Sequence, residues 1–462
     1  MVLETVVAEG LAHLSYLLGD EDAGIAAVID PRRDVEVYLE LARRHHLRIT
    51  CAVETHIHAD FVSGTRELAA ATGAEICTPE SDAYRFARRS LREGDTLALG
   101  DLCLRVLHTP GHTPEHLSLV VSGGDEGEPW AVFTGDTLFA NEVGRPDLLG
   151  GGTEEPLARQ LYHSLHDKLL PLGDGVLVYP AHGEGSPCGA RIGARRVTTL
   201  GYERRHNPRL QAGSEEAFVH DLLASLPEPP AYYPRVKQVN AEGPRVLGSL
   251  PYLPLLDTEE FRARMAAPDA VVLDTREVLA FGGGHIPGAT SIALREAFPI
   301  WAGRLLAPEQ PLLLVLETNA DADRVQRHLL RVGLEQIDGI LRRGMRGWAE
   351  AGLQFERIRQ VSIHELREWL NNGHADDLQI VDVRSDAEWR QGHIPGAIHL
   401  HAAHLTERMD ELDRARPVVV YCGSGYRATT AASILQRSGF RDVSSVPGSI
   451  HAWRAAGYPL VQ

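Results

Sequence analysis

Histidine and aspartate side chains recur in short motifs along the first 190 residues. The first motif, Glu54-Thr-His-Ile-His-Ala-Asp-Phe61, places His56, His58 and Asp60 at alternate positions. Alternate side chains of a strand or extended loop lean toward one side, so these three can meet a single ion. Neutral imidazoles and a carboxylate suit a first-row transition metal. Alone the motif is weak, because the chain holds 22 histidines.

Three further loops extend this pattern. They are His108-Thr-Pro-Gly-His-Thr-Pro-Glu-His116, Thr134-Gly-Asp-Thr-Leu-Phe139 and Tyr179-Pro-Ala-His-Gly-Glu184. Each has Pro or Gly beside its histidine or aspartate, which fixes or frees the backbone. Apolar segments at 50–54, 102–107, 117–121 and 130–133 predict strands, and a helix is predicted to begin at Ser63 and to end at Gly73. Motif loops that follow strands are typical of layered α/β folds.

The order HxHxD, HTPGHT, TGD and PAH resembles the metallo-β-lactamase superfamily, over roughly residues 1–240. The resemblance implies a four-layer αββα sandwich with metal at the edge between its two sheets. Dinuclear hydrolases such as glyoxalase II have a histidine at the position of Phe61, and a phenyl ring cannot be a metal ligand. A second metal is therefore disfavoured, although Asp60 and His182 remain available.

The resemblance to the persulfide dioxygenases of this superfamily implies one ferrous ion per chain. Carried over to this sequence, its ligands are His56, His112 and Asp136. Two imidazoles and one carboxylate leave positions open for a sulfur donor and dioxygen, as in non-haem iron oxygenases. The groups expected to orient these ligands or to shuttle protons are His58, Asp60 and His182.

Two other residues of this region are candidates for substrate contact. Arg145, in Gly144-Arg-Pro-Asp147, resembles part of a persulfide dioxygenase motif and would either hold its loop in place or face the thiol substrate. Cys188 follows His182 closely and would either meet substrate sulfur or be a buried structural thiol. Arg66 and Arg191 are further candidates to bind an anionic group of the substrate.

A proline-rich segment, 225–256, predicts an extended linker and a domain boundary. Beyond it, Val271-Val-Leu-Asp-Thr-Arg276 with Gly284-His-Ile-Pro-Gly-Ala289 returns as Ile380-Val-Asp-Val-Arg384 with Gly392-His-Ile-Pro-Gly-Ala397. The offset is 108 residues both for the aspartates (274 to 382) and for the histidines (285 to 393). A constant offset indicates tandem domains with parallel sheets.

These repeats resemble rhodanese domains. In the second copy a strand leads into Cys422 and then a helix, with an anion-binding loop of Gly423, Ser424, Gly425 and Tyr426 that ends at Arg427. Backbone N–H groups, the positive helix end and the arginine favour a thiolate. The resemblance implies that Cys422 carries a persulfide, although cysteine phosphatases use a similar loop.

The first copy departs from this pattern. Depending on the gap placed, Leu316 or Glu317 aligns with Cys422, and no glycine loop follows. The predicted architecture is thus an α/β multidomain chain. It comprises a metallo-β-lactamase-like dioxygenase domain (1–240), a linker (241–256), a catalytically silent rhodanese-like domain (257–356) and a rhodanese domain with active Cys422 (358–462).

Composition limits the partners of the chain. The net charge of −17 over 462 residues argues against nucleic acid and anionic membranes. With no signal-peptide pattern and no long apolar run, a cytoplasmic protein is expected. The five cysteines form no CxxC, which argues against a disulfide framework. A homodimer is compatible with the resemblance, because dioxygenases of this superfamily are often dimeric.

The two resemblances together imply a sulfide-detoxifying enzyme. A low-molecular-weight thiol persulfide and dioxygen would give sulfite and thiol, and Cys422 would form or use thiosulfate, in either direction. Glutathione, coenzyme A and bacillithiol all remain open as the thiol. The alternatives are a dinuclear thioester hydrolase similar to glyoxalase II, with an appended sulfur carrier, and a non-enzymatic sulfur carrier or sensor.

Overall fold

The computed structural model describes residues 1–124, 127–372 and 377–462 and divides the chain into two compact units. Residues Met1–Pro251 with Arg327–Gly333 form the first unit, and Tyr252–Gln326 with Leu334–Gln462 form the second. Among the residues described, no helix is both long and apolar enough to cross a lipid bilayer.

The first unit contains two six-stranded sheets. In chain order its strands are β1 (Val2–Ala8), β2 (His13–Asp20), β3 (Ile25–Ile29), β4 (Arg48–Val53), β5 (Glu75–Pro79), β6 (Arg89–Leu91), β7 (Thr96–Leu99), β8 (Leu102–His108), β9 (Leu117–Gly123), β10 (Ala131–Gly135), β11 (Leu138–Phe139), β12 (Glu142–Val143), β13 (Leu177–Pro180) and β14 (Thr198–Thr199). One sheet has the order β1-β2-β3-β4-β5-β6 and the other β14-β13-β10-β9-β8-β7, while β11 and β12 form a separate pair.

Helices cover the outer faces of both sheets. They are α1 (Glu36–Arg44), α2 (Thr65–Thr72), α3 (Glu154–His163) with a π-helical continuation (Ser164–Leu169), α4 (Leu200–His206), α5 (Glu215–Ser225) and α6 (Tyr233–Glu242). One apolar cluster joins the facing sheets, for example Tyr16 of β2 and Leu119 of β9. A second cluster joins the first sheet to α1 and α2, and a third joins the other sheet to α3 and α5. These layers form the expected αββα sandwich.

The loop that follows β4 differs from the prediction at the start of α2. The helix begins at Thr65 with Gly64 as its N-cap, not at Ser63. The Ser63 hydroxyl donates to Glu54 Oε1 at 2.7 Å and accepts from the Thr65 N–H at 3.1 Å. A Cβ at Gly64 would lie 2.0 Å from the Arg32 carbonyl oxygen, so only glycine fits here.

The proline-rich segment is also more ordered than expected. Residues 233–242 form α6, because Pro234 falls in the first turn, where its missing N–H is tolerated. The chain after α6 is held to the first unit, since the Arg66 guanidinium donates to the carbonyl oxygens of Gly243 and Pro244, both at 2.8 Å.

The second unit contains two five-stranded parallel sheets of the same topology. Its strands are β15 (Leu255–Leu256), β16 (Val271–Asp274), β17 (Thr290–Ser291), β18 (Leu312–Val315), β19 (Ile337–Leu341), β20 (Arg359–Gln360), β21 (Gln379–Asp382), β22 (Ile398–His399), β23 (Val418–Tyr421) and β24 (Val443–Ser445). The sheet orders are β15-β19-β18-β16-β17 and β20-β24-β23-β21-β22, so each copy repeats one arrangement.

The helices of the two copies are placed similarly along the chain. Those of the first copy are α7 (Thr258–Met265), α8 (Val278–Gly283), α9 (Phe298–Leu305), α10 (Ala322–Arg331) and α11 (Gly344–Glu350). Those of the second are α12 (Ile363–Asn371), α13 (Asp386–Arg390), α14 (Leu405–Arg408), α15 (Tyr426–Arg437) and α16 (Ser449–Ala455).

The repeated DxR and GH motifs have a structural role. In the second copy Arg384 donates to Asp382 at 2.9 Å and to the Gly392 carbonyl at 3.0 Å. Arg276 makes the same contacts with Asp274 and Gly284 in the first copy. In each copy the buried ion pair therefore ties the end of β16 or β21 to the glycine that follows the next helix.

Candidate functional site

Three loops at the ends of strands bring His56, His112 and Asp136 together in the first unit. All three are buried, and one potential ligand atom from each lies within 4.8 Å of the others. Asp136 Oδ2 is 3.4 Å from His112 Nε2 and 3.8 Å from His56 Nε2. The cluster thus presents two imidazole nitrogens and one carboxylate oxygen to a common point.

Neighbouring groups orient both imidazoles. His112 Nδ1 donates to the Arg145 carbonyl oxygen at 2.9 Å. The Thr55 hydroxyl donates to Asp30 at 2.9 Å, so His56 Nδ1 donates to the Thr55 oxygen at 2.9 Å. Each Nε2 is left with its lone pair facing the cluster, an arrangement that fixes the tautomer of a metal ligand.

The donor set fits a small cation. Neither His56 Nε2 nor Asp136 Oδ2 has a hydrogen-bond partner among the described residues, although both atoms are buried. Burial lowers the pKa of His56 well below its usual value, and the neighbouring imidazoles add to this effect. Neutral imidazoles beside a carboxylate are the protonation states that metal binding requires.

His58, Asp60 and His182 surround the cluster. His58 Nε2 lies 3.0 Å from Asp30 Oδ1, so its ring is turned to this carboxylate. His182 bridges two carboxylates, with Nδ1 at 2.7 Å from Asp136 and Nε2 at 2.8 Å from Asp60. Burial alone would lower the pKa of His182, but the charge of Asp136 and other anionic groups holds it well above its usual value.

Phe61 fills the space beside His58. Its ring centroid lies 4.5 Å from that of His58 and 3.9 Å from that of His13. Both nitrogens of His13 are buried and without a hydrogen-bond partner among the described residues. Sequence reasoning overlooked His13, because it lies in a strand far from any motif.

Arg145 has a structural position in this site. Its side chain is 0% exposed and donates to Asp147 at 2.7 and 2.8 Å and to the carbonyl oxygens of Pro187 and Pro227. Of the two predicted alternatives, this geometry favours holding the loop in place, which also fixes the carbonyl oxygen that orients His112.

Cys188 lies near Asp60 and His182, and these three residues form another group of potential metal ligands. Burial raises the pKa of its thiol to about 12. Its Sγ is 3.8 Å from the Tyr233 hydroxyl. Both predicted alternatives, a structural thiol and a contact for substrate sulfur, are compatible with this position.

Two further polar residues position the ligands and were not predicted. His116 Nε2 accepts the Asp136 N–H at 2.9 Å and so holds the aspartate backbone. The Asn240 amide of α6 donates to the carbonyl oxygens of His58 and Phe61, both at 2.8 Å. His116 lies within the HTPGHTPEH motif, whereas nothing in the sequence near Asn240 indicated this role.

The second unit carries the Cys422 loop between β23 and α15. Cys422 is buried, and the Gly425 N–H donates to its Sγ at 3.1 Å, which favours negative charge on the sulfur. A Cβ at Gly423 would lie 3.3 Å from Arg427 Nη2, so the guanidinium borders the loop.

Two residues of this predicted anion loop have partners outside it. The Tyr426 hydroxyl donates to the Ala293 carbonyl oxygen at 3.2 Å, and the Ser424 carbonyl oxygen accepts from the Gly448 N–H at 3.0 Å. Arg427 is paired with both oxygens of Glu388, at 2.6 and 2.7 Å. The loop therefore presents backbone N–H groups and the Arg427 guanidinium, whose charge Glu388 partly neutralises.

Ser449 contacts Cys422, and the sequence did not predict this contact. It is fully buried, and its hydroxyl oxygen accepts the Cys422 N–H at 3.1 Å. The same hydroxyl donates to the Val446 carbonyl oxygen at 2.6 Å. Its φ of +45° is a left-handed conformation that disfavours residues with a Cβ.

The first copy resolves the alignment that the sequence left open. Val315 pairs with Asp274 as Tyr421 pairs with Asp382, so Leu316 occupies the position of Cys422. Gly344, with φ +50°, occupies the position of Ser449, and a Cβ there would lie 3.4 Å from the Leu316 carbonyl oxygen. The first copy thus has neither the thiol nor the hydroxyl.

Comparison with known proteins finds a matching family for each of the two units. The metallo-beta-lactamase superfamily matches residues 8–182, and the rhodanese-like domain matches residues 257–351 and 362–456. Persulfide dioxygenase ETHE1 of Mus musculus is 34% identical over 223 residues, which cover 46% of this chain and 78% of the relative. The corresponding protein of Homo sapiens is 32% identical over 220 residues, with the same coverage of both chains.

A solved structure extends the similarity beyond the first unit. The crystal structure of a metallo-beta-lactamase from Staphylococcus aureus is 31% identical, with a TM-score of 0.67, and the match covers 73% of this chain and 98% of that one. Hydroxyacylglutathione hydrolase GloC of Haemophilus influenzae is 29% identical over 46% of this chain and 100% of its own length. The chain therefore belongs to the metallo-beta-lactamase superfamily, as a homologue of the ETHE1 persulfide dioxygenases that carries two rhodanese-like domains.

Proposed function

We propose that the protein is an iron-dependent persulfide dioxygenase coupled to a rhodanese. A low-molecular-weight thiol persulfide, dioxygen and water would give the thiol, hydrogen sulfite and one proton. The observation that carries the proposal is the buried cluster of His56, His112 and Asp136, in which His56 Nε2 and Asp136 Oδ2 have no hydrogen-bond partner among the described residues. The similarity to persulfide dioxygenases supports the same assignment.

The residues of this chain hold and isolate the metal. His56, His112 and Asp136 would be its ligands, and ferrous iron, when bound, supplies the redox chemistry with dioxygen. The Thr55 hydroxyl and the Arg145 carbonyl oxygen keep both imidazoles in the ligating tautomer.

A proton can be held beside the cluster. His182 lies between the carboxylates of Asp60 and Asp136 and has a raised pKa, so it is a candidate to hold a proton at Nε2 or Nδ1. Phe61 places an apolar ring beside His58, where a dinuclear hydrolase has a further ligand, and so supports a single metal.

We further propose that Cys422 carries sulfur between substrates. A persulfide on Cys422 would react with hydrogen sulfite to give the free thiol, thiosulfate and one proton, or the reaction would run in reverse. The N–H of Gly425 and the positive end of α15 would stabilise the sulfur anion that leaves or attacks. The first copy would be catalytically silent, because Leu316 stands in the place of the cysteine.

We propose that residues 1–240, 257–356 and 358–462 act as the three domains, joined at 241–256. We also propose a cytoplasmic location and a role in sulfide detoxification.

An oxygen electrode and metal analysis test the dioxygenase. Anaerobically prepared full-length protein is expected to contain one iron per chain and to consume one dioxygen per sulfite with glutathione persulfide or coenzyme A persulfide. His112→Ala should lower this rate by more than ~100-fold, because a ligand is lost. His220→Ala, at an exposed histidine of α5, is the matched control and should leave the rate unchanged.

Two results would contradict this assignment. Persulfide oxidation that survives in His112→Ala would refute the iron site. Hydrolysis of a glutathione thioester with two metals per chain and no dioxygen uptake would establish the glyoxalase-II-like alternative. Similarity to hydroxyacylglutathione hydrolase GloC is the observation that keeps this alternative in view.

Cys422→Ser separates the two activities. The variant should form no thiosulfate while its oxygen uptake with a thiol persulfide stays at the wild-type rate. Residual sulfur transfer in Cys422→Ser would contradict the role of Cys422 as the sulfur carrier.

A further inference from the structure

Lys237 of α6 stands out among the cations of the first unit. The chain has only two lysines, Lys168 and Lys237, although it has 46 basic residues. Lys168 donates to Glu93 at 2.9 Å on the surface. Lys237 Nζ is buried and has no hydrogen-bond partner among the residues that the structure describes. A buried ammonium without a partner is costly, which indicates that a ligand completes it.

The helix that carries Lys237 lies against the loop of the metal cluster. The Asn240 amide donates to the His58 carbonyl oxygen at 2.8 Å, and the Tyr232 hydroxyl donates to the Asp60 carbonyl oxygen at 3.1 Å. Lys237 lies three residues before Asn240 and four after Tyr233, so these residues share one helix face. This face is the one turned to the loop that holds His56.

Electrostatic effects support the same location. Burial lowers the pKa of Lys237, whereas the charge of Glu115 raises it. Glu115 accepts the Ile57 N–H at 3.0 Å, within the first metal-binding motif. Lys237 therefore lies near the Glu115 carboxylate, which holds the loop between His56 and His58.

Two of the three arginines that the sequence suggested for substrate binding already have partners within the protein. Arg145 is fully buried and donates to Asp147 and to two carbonyl oxygens. Arg66 donates to the carbonyl oxygens of Gly243 and Pro244. Lys237, by contrast, has its donors available.

We infer that Lys237 binds the anionic oxygen group, a carboxylate or a phosphate, of the thiol part of the persulfide substrate. The inference rests on the proposed function and specifies its substrate class. A compact ammonium forms charge-assisted hydrogen bonds with either group. Because the contact is made away from the sulfur, it positions the substrate without taking part in sulfur oxidation.

Steady-state kinetics with three persulfides test the inference. Lys237→Met should raise KM about 10- to 100-fold for a substrate that uses the contact, the loss expected for a hydrogen bond to a charged group. Glutathione persulfide offers carboxylates and coenzyme A persulfide offers phosphates, so the substrate whose KM rises identifies the group. The persulfide of 2-mercaptoethanol, whose thiol part has neither a carboxylate nor a phosphate, should keep its KM and kcat. Lys168→Met is the matched control and should change none of these values.

An equal rise in KM for all three persulfides would overturn the inference, because the lysine would then act on the sulfur or the metal. Folding provides a second readout. If Lys237 were structural, Lys237→Met would lower the Tm, whereas removal of an unpaired buried charge should leave the Tm equal or higher.

Equilibrium binding separates this inference from the proposed function. Isothermal titration of anaerobic, iron-loaded protein with S-methylglutathione and with desulfo-coenzyme A requires no turnover. Weaker binding of at least one ligand to Lys237→Met supports the inference even if no persulfide is oxidised. Identical affinities of both ligands for the wild type and Lys237→Met would refute it, even if the dioxygenase is active.

Discussion

Replacement of Ser449 by alanine and by glycine separates two effects at the proposed sulfur-transfer site. The hydroxyl accepts the buried Cys422 N–H at 3.1 Å, and the residue has a φ of +45°. Alanine removes the hydroxyl and keeps the left-handed strain. Glycine removes the hydroxyl and relieves the strain, as at Gly344 in the first copy.

The two substitutions should differ in stability. Loss of the hydroxyl leaves the Cys422 N–H and the Val446 carbonyl oxygen without this partner, which costs about 1–3 kcal/mol. Ser449→Ala should lower the free energy of unfolding by this amount. Ser449→Gly should be more stable than Ser449→Ala by about 1 kcal/mol, because strain relief of ~1–2 kcal/mol exceeds the added entropy of the unfolded glycine.

Sulfur transfer should not distinguish the two variants. Both lose the contact that positions the Cys422 backbone, so kcat/KM for transfer from thiosulfate to cyanide should fall about 10-fold in each. Calorimetry of the full chain provides the stability and a cyanide assay the activity. Gly344→Ala is the control: it should destabilise the protein, since φ is +50° there, without changing sulfur transfer.

Two outcomes would refute this reasoning. Full activity in Ser449→Gly would show that the hydroxyl does not position Cys422. Equal stability of the alanine and glycine variants would show that the left-handed conformation at residue 449 stores no strain.

Other residues give further predictions. Burial raises the pKa of Glu388, but the hydrogen bonds and charge of Arg427 outweigh this effect and lower it to about 2. The stabilisation by this carboxylate is therefore present above its ordinary value of 4.5 and is lost as pH falls toward 2; a Glu388→Gln variant should lack that acid-dependent loss in denaturation curves. Cys188, whose pKa burial raises to about 12, should resist iodoacetamide at pH 8 until the protein is denatured, and rapid native labelling would contradict its burial. Asn240→Ala should weaken iron binding about 10- to 100-fold in a chelator competition, because it frees the loop of His58; unchanged affinity would show that the loop is held by other contacts.

Motif residues were predictable because their chemistry demands particular side chains at fixed spacings. The strands that precede the motifs, the αββα layers and the tandem α/β repeats follow from apolar periodicity and a constant offset. The start of α2 was predicted two residues early, because the Ser63 hydroxyl bonds to Glu54, which lies outside the helix. The helix over residues 233–242 was not predicted, because proline-rich composition does not reveal that Pro234 lies in the first turn of a helix.

Residues that act through long-range contacts were decided only by the tertiary structure. Asp30, His116 and Asn240 hold the metal loops from other elements, and such contacts leave no periodic trace in the chain. Likewise, packing decides the partners of Arg145 and leaves Lys237 Nζ without a hydrogen-bond partner among the described residues, and sequence spacing does not encode packing.

The sequence by itself determined which groups can bind a metal and which cysteine can carry sulfur, because ligand and nucleophile chemistry reside in side-chain identity. Only the tertiary structure decided which of these groups face one another. It turned His58 to Asp30, set Leu316 in the place of Cys422 and left Lys237 Nζ buried without a hydrogen-bond partner among the described residues. The physical reason is that hydrogen bonding and burial are properties of neighbours in space, whatever their separation along the chain.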